Sequence, residues 1–461
     1  MTSHTGELAG DGTRRDAPPL VIATILRAEG TTGVQTHVQQ LRASLAGSGT
    51  SVILLTPFSW ARPLTYPVFG ARLVLERLSN AASVWWYRRG HEVFLRKALR
   101  RELGRLGDCV VYAQGPLEAR AALRARRGPH QRVVMAVHFK TSQADEWVNT
   151  RTFPIKRDGR VYRGIRQAER ETITRLDGLL YVASWARDAI LSWLPEAAAV
   201  PSAVIGNFTA PLDPEPTPGP MADLVSTGGL DSVKNHTFLL DVLAEAGRRG
   251  RTLTLDVYGE GVLRAELEEK TRALGLTGQV RWRGFRRDVR QFLPGYKVYV
   301  HPSVSEVSPL AIIEAMAAGL PVVAGRVGGI TEVYDDGVEG RFWPLDDAAQ
   351  ATEILLDLLD SQPSRQAAAE AARKRFYRDF DTAVVVPRLL AFLAGPPSPA
   401  RRLRVPGDQQ VAAVQEHREP LPGQAGHLAA AGHRLDNEAL PRKELPQGDR
   451  AVHADVRAAE Y

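Results

Sequence analysis

Short apolar runs alternate along this chain with longer segments in which apolar residues recur at helical spacing. Short runs bounded by glycine, proline or polar residues are typical of strands buried in a parallel sheet, and the segments between them are typical of crossover helices. The pattern therefore predicts an α/β fold. The predicted strands are Leu20–Leu26, Ser51–Leu55, a strand beginning at Cys109, Arg132–His138, Leu224–Thr227, Leu253–Tyr258, Gln279–Trp282, Lys297–Val300 and Pro321–Val323.

A proline-rich stretch at residues 210–220 divides these strands into two groups. A chain of 461 residues is also longer than a single hydrophobic core usually organises. Together these observations predict a first domain over residues 19–207 and a second over residues 208–380. The two ends, residues 1–18 and 396–461, contain few large apolar side chains and are predicted to be disordered.

Composition narrows the cellular setting. Cys109 is the single cysteine, so no internal disulfide can form, which favours a reducing compartment. The N-terminal residues lack an apolar signal region, and no window contains the roughly 18 apolar residues of a membrane-spanning helix. We therefore expect a cytoplasmic protein. The net charge of +7 suits nucleic acid, an anionic membrane or a phosphorylated substrate, and does not choose among them.

A basic segment with adjacent tryptophans, Trp85–Arg105, has helical periodicity. A helix of this composition can lie on an anionic membrane, where arginine and lysine meet lipid headgroups. It can equally pack on a protein core and leave its basic face in solvent. Both interpretations stay open, so a peripheral membrane location is an alternative to a purely cytoplasmic one. Nucleic-acid binding is not expected, because the chain has no recognisable module of basic and aromatic residues for it.

Two glutamates, Glu306 and Glu314, lie around a predicted connection from a strand to a helix. Ser308 is a favourable N-cap with Pro309 at the first helical position, which places Glu306 in the loop and Glu314 about two turns into the helix. Glutamates are usually solvated. The neighbours of Glu314 are apolar, however, so its carboxylate is expected to be buried and to need a polar partner such as a hydroxylated ligand.

The segment HPSVSEVSPLAIIEAMAAGLPVVAGRVGGITEV, which starts at His301, resembles the signature of the retaining nucleotide-sugar glycosyltransferases of family four. The resemblance continues upstream, in the family's order, through TGGLDSVKNHTFLLDVL, VYGEGVLRAELEEKTRALGL and GFRRDV. It implies the GT-B fold, in which two Rossmann-like domains face each other across a cleft. It also implies that the first domain binds the acceptor, that the second binds the donor, and that a terminal helix at residues 381–395 packs back on the first domain.

The same resemblance implies roles for residues near this cleft. Glu314 would bind the ribose hydroxyls, and Glu306 would bind hydroxyls of the donor sugar and stabilise positive charge at its anomeric carbon. Lys234 and two backbone amides would stabilise the departing diphosphate, which would itself receive the proton of the acceptor. The implied catalytic residues are His138 and Glu306, and the implied donor-binding residues are Gly33, Lys234, Ser308, Leu310, Ala311 and Glu314.

Three of these residues also have purely structural interpretations. Gly33 closes the turn after the first strand, where a positive φ alone would explain a glycine. His138 ends a predicted strand and could simply bond to the backbone. Lys234 precedes Asn235, a predicted N-cap, and most lysines are solvent-exposed, although the positive end of a helix favours phosphate there. His37, in the opening helix, is expected to be a face residue.

Two positions depart from the family's pattern. Gly229 stands where the family usually has an arginine beside the lysine, and losing one charged contact to phosphate costs on the order of 1.5–3 kcal/mol. Arg286, Arg287 and Arg326 are candidates to replace that contact. Val307 stands where a glycine commonly follows the first glutamate. These departures bear on the identity of the donor more than on the chemistry.

The predicted function is transfer of a sugar from a nucleotide-diphosphate sugar to a hydroxyl acceptor, with retained anomeric configuration, in the synthesis of a glycan, polysaccharide or glycolipid. The acceptor is expected to be a glycan, a glycolipid or a small hydroxyl compound. No Asp-x-Asp metal site is needed, so we expect no metal, no other cofactor, and activity in the presence of a chelator.

Two alternatives stay open at this point. One is a sugar-nucleotide epimerase of the GT-B type, which needs no acceptor. The other is a catalytically weak, membrane-associated partner of a glycan assembly complex, which the departures at Gly229 and Val307 and the basic aromatic helix would explain.

Overall fold

The computed structural model of the protein describes residues 18–30, 32–60, 62–149, 154–212 and 221–395. The two tails predicted to be disordered lie outside these residues, except for Pro18. Most of the proline-rich connection, residues 213–220, lies outside them as well.

The first domain is built on a parallel sheet that is covered by helices. Its strands are β1 (Leu20–Ala23), β2 (Val52–Leu55), β3 (Cys109–Ala113), β4 (Gln131–Val137), β5 (Gly178–Tyr181) and β6 (Ser202–Val204). They lie in the order β2-β1-β3-β4-β5-β6, and every neighbouring pair is parallel. The helices are α1 (Gly33–Leu45), α2 (Arg62–Gly70), α3 (Arg72–Leu78), α4 (Asn80–Leu103), α5 (Pro116–Ala125), α6 (Gln143–Asn149), α7 (Arg160–Ile173) and α8 (Ser184–Trp193).

The second domain repeats this arrangement. Its strands are β7 (Leu224–Thr227), β8 (Leu255–Tyr258), β9 (Val280–Gly284), β10 (Val298–His301), β11 (Val322–Gly325) and β12 (Gly340–Trp343), in the order β12-β11-β10-β7-β8-β9. Its helices are α9 (His236–Arg248), α10 (Arg264–Ala273), α11 (Leu310–Ala317), α12 (Ile330–Val333), α13 (Ala348–Asp360) and α14 (Gln362–Asp379). The α/β class predicted from the sequence, with two parallel sheets, is confirmed.

The strands are apolar on both faces because helices cover both sides of each sheet. All four residues of β1 are buried, and so are all five of β3. The strand order reverses between β1 and β3 in the first sheet and between β10 and β7 in the second. In sheets of this kind ligands bind at the carboxyl ends of the strands next to the reversal. The topology therefore directs attention to the loops that follow β1, β3, β7 and β10.

The last described helix, α15 (Thr382–Ala394), leaves the second domain and packs on the first. Its residues Val385 and Leu389 lie in the apolar cluster that contains Leu41 of α1. The chain thus crosses between the domains twice, once near Thr209 and once near Phe380, and the two crossing segments are in contact. The amide of Thr209 donates to the carbonyl of Phe380 at 3.1 Å.

Two further contacts join the domains. The carboxylate of Glu332 accepts hydrogen bonds from the amides of Ser184 and Trp185, both at 2.7 Å, at the first turn of α8. The side chain of Val307 packs against two apolar clusters of the first domain. A valine at this position therefore contributes to the interface between the domains.

The basic helix α4 packs into the first domain through Leu95, Leu99 and Leu103, which are fully buried. Of its adjacent tryptophans, Trp86 donates its Nε1–H to a backbone carbonyl at 2.7 Å, whereas Trp85 is 56% exposed. Within the described part of the chain, no helix combines the length and apolar composition needed to cross a bilayer.

Candidate functional site

The loops after β7 and β10 meet where the strand order of the second sheet reverses. The hydroxyl of Ser303 and the amide of Val304 both donate to the carbonyl of Val233, at 3.0 and 2.9 Å. These bonds join the loop of Glu306 to the turn of Lys234. The two side chains are therefore held in contact.

Glu306 is anchored through one of its two carboxylate oxygens. Its Oε1 accepts from Lys234 Nζ at 2.5 Å and from His301 Nε2 at 2.9 Å, and its Oε2 bonds to none of the described residues. Burial alone would raise the pKa of this carboxyl, but the Lys234 ammonium and the bond from His301 outweigh burial and hold the pKa well below its ordinary range. Glu306 is thus an anion with one oxygen free to meet a ligand.

Two glycines fix the backbone of the Glu306 loop. The amide of Gly329 donates to the carbonyl of Glu306 at 3.0 Å. A Cβ at Gly328, whose φ is +50°, would lie 2.1 Å from that carbonyl oxygen, and a Cβ at Gly329 would lie 1.7 Å from the carbonyl oxygen of Val307. A side chain at either position would displace the loop.

Helix α11 begins one residue later than predicted and without a side-chain cap. Its N-cap is Pro309, and Ser308 is not the N-cap. Ser308 bonds to the first domain instead, because its hydroxyl accepts from the amide of Asn207 at 3.4 Å and its carbonyl accepts from Asn207 Nδ2 at 2.7 Å. The amides of Leu310 and Ala311 consequently have no backbone acceptor among the described residues and form the open, positive end of the helix.

Glu314, in the middle of α11, lies beside Arg290. The distance from Arg290 Nε to Glu314 Oε1 is 3.8 Å, which is too long for a hydrogen bond. Burial raises the pKa of the Glu314 carboxyl to about 7, although Arg290 opposes the shift. The Nε of Arg290 is also buried without an acceptor. A largely buried carboxylate and a guanidinium nitrogen that both lack hydrogen bonds among the described residues can accommodate hydroxyl groups.

Lys234 lies in a tight turn after β7. The carboxylate of Asp231 accepts from the amides of Val233 and Lys234 at 2.8 and 2.9 Å, which fixes the turn. Asn235 occupies the N-cap position of α9 but has a left-handed backbone, with φ of 52°, and its side chain makes no capping bond. The turn therefore depends on Asp231, and the predicted capping by Asn235 is wrong.

Three arginines were candidates to supply the charge that Gly229 lacks, and their side chains are paired with other groups or exposed. Arg286 pairs with Asp288 at 2.8 Å, and Arg326 pairs with Asp336 at 2.9 Å. The side chain of Arg287 is 79% exposed. None of the three has an atom within 4 Å of the position that a Cβ at Gly229 would occupy.

Lys140, in the first domain, is a cation close to the Lys234–Glu306 pair. Burial lowers the pKa of Lys140, the carboxylates of Glu146 and Glu306 oppose that shift, and the charge of Lys234 reinforces it. The loop after β4, in the first domain, therefore places a second ammonium group within electrostatic range of Glu306. The sequence placed this loop near the cleft but did not single out its lysine.

His138 follows β4 directly. Its Nε2 bonds to Gln114 Oε1 at 3.1 Å, so Nε2 carries the proton and Nδ1 is left unprotonated. Burial and the neighbouring His37 lower the pKa of His138 well below its ordinary value. The imidazole is therefore neutral at pH 7, at the carboxyl edge of the first sheet.

His37 is not a face residue, contrary to the prediction. It is buried and lies edge-on to His138, with ring centroids 5.0 Å apart. Its Nε2 bonds to the Tyr112 hydroxyl at 3.0 Å, and its Nδ1 bonds to Asn207 Oδ1 at 3.1 Å. Burial lowers its pKa to about 4, although the bond to Asn207 opposes the shift. Helical periodicity missed it because the polar ring replaces an apolar side chain on the inner face of α1.

These bonds form a buried polar chain between the domains. Because Asn207 Nδ2 donates to Ser308, its Oδ1 is left to accept from His37 Nδ1–H, and His37 Nε2 then accepts from Tyr112. Every member is satisfied only if His37 is neutral. These bonds tie Ser308, two residues before α11, to the sheet of the first domain.

Asn207→Ala is expected to lower the free energy of unfolding by about 1–3 kcal/mol, because it leaves His37 Nδ1–H and the Ser308 carbonyl without partners. Urea unfolding of the full chain measures the change. Gln39→Ala is the matched control, since Gln39 makes only a 3.4 Å bond at the surface of the same helix as His37. It should change stability by less than about 0.5 kcal/mol. Equal losses in the two variants would contradict the buried chain.

Gly33 is the first residue of α1 and does not have the positive φ that the structural interpretation predicted. A Cβ at this position would meet nothing within 4 Å. Thr32 and Gln35 cap the helix start reciprocally, so the local structure does not depend on the glycine. Neither conformation nor packing within the described residues requires a glycine there.

The predicted site residues fall into two groups. The second domain gathers one group at the reversal of its sheet, and the first domain carries His138 and Gly33. Their roles toward a ligand stay predictions. The gathered group consists of Lys234, Glu306, Ser308, Leu310, Ala311 and Glu314.

Sequence reasoning missed four neighbours of these residues. His301 had a usable signal, because it ends the strand before the Glu306 loop. Lys140, Arg290 and Asn207 had none, since each acts across a long separation in sequence. Among the described residues, no group of three or more histidine, cysteine, aspartate or glutamate side chains is arranged to hold a metal ion.

Comparison with known proteins gives a consistent result. Residues 214–375 match the family Glycosyl transferases group 1. The chain is 26% identical over 390 residues to glycogen synthase of Mycobacterium tuberculosis, a match that covers 79% of this chain and 89% of that enzyme.

Solved structures share the fold. Sucrose-phosphate synthase from Thermosynechococcus elongatus matches with a TM-score of 0.62 and 15% identity, over 81% of this chain and 97% of that chain. HepE from Anabaena, in complex with UDP, matches with a TM-score of 0.58 and 16% identity, over 82% of this chain and 100% of that chain. At these identities the two structures support the architecture of paired parallel sheets.

Proposed function

We propose that this chain, a glycosyltransferase of the GT-B fold, transfers a sugar from a nucleotide-diphosphate donor to a hydroxyl acceptor. Its resemblance to family four supports retention of the anomeric configuration. One observation carries the proposal: the anion Glu306, with a free oxygen, is held by Lys234 beside the open end of α11. Sugar, diphosphate and nucleoside each have a complementary group there.

The diphosphate would lie between the amides of Leu310 and Ala311 and the ammonium of Lys234. A helix start attracts phosphate through its unpaired amides and its dipole. Lys140 would add a second ammonium from the first domain and so offset the charge that Gly229 does not supply. Stabilising the leaving diphosphate in this way is usually the largest contribution to such a reaction.

Glu306 would act on the sugar. Oε1 is occupied by Lys234 and His301, so Oε2 is the oxygen that can accept from a sugar hydroxyl. Because the carboxylate is ionised at neutral pH, it would also stabilise the positive charge that develops at the anomeric carbon. His138, neutral and at the opposite wall, would orient the sugar through its unprotonated Nδ1.

Glu314 would bind the nucleoside. A carboxylate accepts two hydroxyl hydrogen bonds in a fork, which matches the paired hydroxyls of a ribose. Arg290 beside it would compensate the buried charge once Glu314 is deprotonated.

The acceptor hydroxyl would attack the anomeric carbon on the face from which the diphosphate leaves. The bond from carbon to diphosphate oxygen breaks, the bond to the acceptor oxygen forms, and the acceptor proton passes to the leaving phosphate. No enzyme base, divalent metal or other cofactor is then required, because the lysines and helix amides supply the positive charge. Closure of the domains would exclude water and suppress hydrolysis of the donor.

The acceptor is proposed to be a glycan, a glycolipid or a small hydroxyl compound bound by the first domain of a cytoplasmic enzyme. Peripheral membrane contact through the Trp85–Arg105 region is part of this proposal, and the exposed ring of Trp85 supports it.

The test is calorimetric titration of the full chain with UDP- and GDP-sugars in EDTA, followed by NMR of turnover with simple methyl glycosides as acceptors. We expect one donor to bind, nucleoside diphosphate release to require an acceptor, and the product to keep the donor's anomeric configuration. Lys140→Ala should weaken donor binding by about one to two decades. Lys156→Ala, at an exposed lysine, is the matched control.

Other outcomes would replace the proposal. Conversion of the donor sugar without any acceptor would indicate an epimerase. Failure of a folded sample to bind every donor would favour a partner protein of a glycan assembly complex. Loss of activity in EDTA that Mg²⁺ restores would overturn metal independence, and an inverted product would overturn retention.

A further inference from the structure

We propose that a cavity in the first domain, lined by α4, α5 and α7, binds an anionic group of the acceptor, so that the enzyme glycosylates a sugar that carries a phosphate or a carboxylate. This inference rests on the proposed function, since it assigns a chemical class to the acceptor. It is carried by the charges of the cavity and by its position beside the cleft.

The cavity has a volume of about 550 Å³, within the range of small-molecule sites. Its charged lining consists of four arginines and two glutamates, which leaves an excess of two positive charges. The residues are Arg88, Arg89, Arg120, Arg160, Glu92 and Glu169.

The glutamates are already engaged with other groups. Glu92 pairs with Arg124 and, at 3.7 Å, with Arg120. Glu169 accepts from the hydroxyl of Ser142 at 2.5 Å and from the amide of Gln143 at 2.8 Å. Neither carboxylate forms an ion pair with Arg89 or Arg160, although Glu169 and Glu92 act on Arg88 through their charge.

Arg89 and Arg160 make no ion pair or hydrogen bond with any described residue, and both are exposed at the cavity. Arg88 lies deeper, and its recorded bond is the one from Nη1 to Gln143 Oε1 at 2.8 Å. Burial lowers the pKa of Arg88, and the nearby glutamates oppose that shift. Guanidinium groups of this kind match the planar oxygens of phosphate and carboxylate.

Short stretches of chain connect the wall of the cavity to residues of the proposed site. Pro116 and Leu117, in its wall, begin α5 just after Gln114, which bonds to His138. On the other side, Arg88 bonds to Gln143, which lies three residues after Lys140 in the chain. A ligand anchored by the arginines would thus extend past the loop of Lys140 toward Glu306.

Trp85 supplies an apolar surface at the same cavity. Its side chain is 56% exposed, and its flat ring can pack against a sugar ring. Combined with the arginines, this surface fits an acidic sugar better than a simple anion.

The test measures binding of glucose 6-phosphate, glucuronate and methyl glucoside by calorimetry, with UDP present to occupy the donor site. We expect one or both acidic sugars to bind and methyl glucoside not to bind. Arg89→Gln/Arg160→Gln should weaken acidic-sugar binding at least tenfold, about 1.4 kcal/mol, and leave UDP binding unchanged. The matched control is Arg100→Gln, an exposed arginine about three turns further along α4.

Unchanged affinity for the acidic sugars in the double variant, or equal loss in Arg100→Gln, would overturn the inference. The inference would also be overturned, in favour of a membrane surface, if the wild type binds phosphatidylglycerol vesicles but neither acidic sugar, and the double variant loses vesicle binding. If UDP itself fails to bind the folded wild type, the proposed function fails first, which is a distinguishable result. The difference between glucose 6-phosphate and glucuronate identifies the anion.

Discussion

Replacing Glu306 by glutamine is expected to lower kcat by about 10²–10³-fold, the range seen when one preorganised charge-stabilising group is removed. The change keeps the shape of the side chain but removes the negative charge that would stabilise the anomeric carbon. That charge matters most in the transition state, so donor affinity should change much less than kcat. Lys234 would also lose its ion pair with the Glu306 carboxylate.

The measurement is steady-state transfer with the donor identified by titration, together with the dissociation constant of that donor. Glu353→Gln is the matched control, because Glu353 is an exposed glutamate of α13 in the same domain. Its kcat should equal that of the wild type. A Glu306→Gln variant that is folded, binds donor and turns over at the wild-type rate would remove Glu306 from the catalytic set.

Donor affinity is expected to weaken below pH 7, by about tenfold for each pH unit, because the Glu314 carboxyl has a pKa of about 7 in the free protein. Only the deprotonated form presents two acceptors to the ribose, so donor binding must first release a proton at lower pH. His37 and His138 stay neutral over this range, since the pKa of each is lowered. The proper ligand is an intact nucleotide sugar, whose diphosphate diester does not titrate there.

Titrations between pH 5.5 and pH 8 test this dependence, and Glu314→Gln should bind weakly with a flat profile. A variant that keeps the wild-type slope would show that another group is responsible. Glu146, whose pKa burial also raises to about 7, is the first to examine, with Glu146→Gln as the matched variant.

The Glu314 carboxyl also makes the free energy of unfolding depend on pH. Its pKa is higher in the folded protein than in the unfolded chain, so stability of the free protein falls as pH rises from about 4.5 to about 7. The cost is about 3 kcal/mol once the group is ionised. The difference between wild type and Glu314→Gln isolates this contribution, because Glu146 contributes with the same sign in both proteins.

The sequence predicted the architecture well because strand burial leaves a strong local pattern. The apolar run of β7 was placed without error, and most other predicted strands shifted by one to three residues at their ends, whereas β5, β6 and β12 were not predicted. The spacing between Glu306 and Glu314 located the loop and helix that form the centre of the candidate site. These features depend on short stretches of chain.

The features that the sequence missed depend on contacts between distant segments. Ser308 looked like an N-cap, but its hydroxyl and its carbonyl both accept hydrogen bonds from Asn207 of the first domain. His37 looked like a surface residue, but Tyr112 and Asn207 satisfy both of its ring nitrogens in the interior. A local sequence pattern cannot indicate a hydrogen-bond partner that lies far away in the sequence.

The first turn of α8, in the first domain, has its amides hydrogen-bonded only while Glu332 of the second domain is in contact with it. The amides of Ser184 and Trp185 lose their acceptor whenever the domains separate, and they are then open to solvent. Hydrogen exchange at these two amides therefore reports the free energy of opening directly, whether or not a ligand is bound. The exchange rates of two amides at the start of α8 thus measure how often the two domains separate.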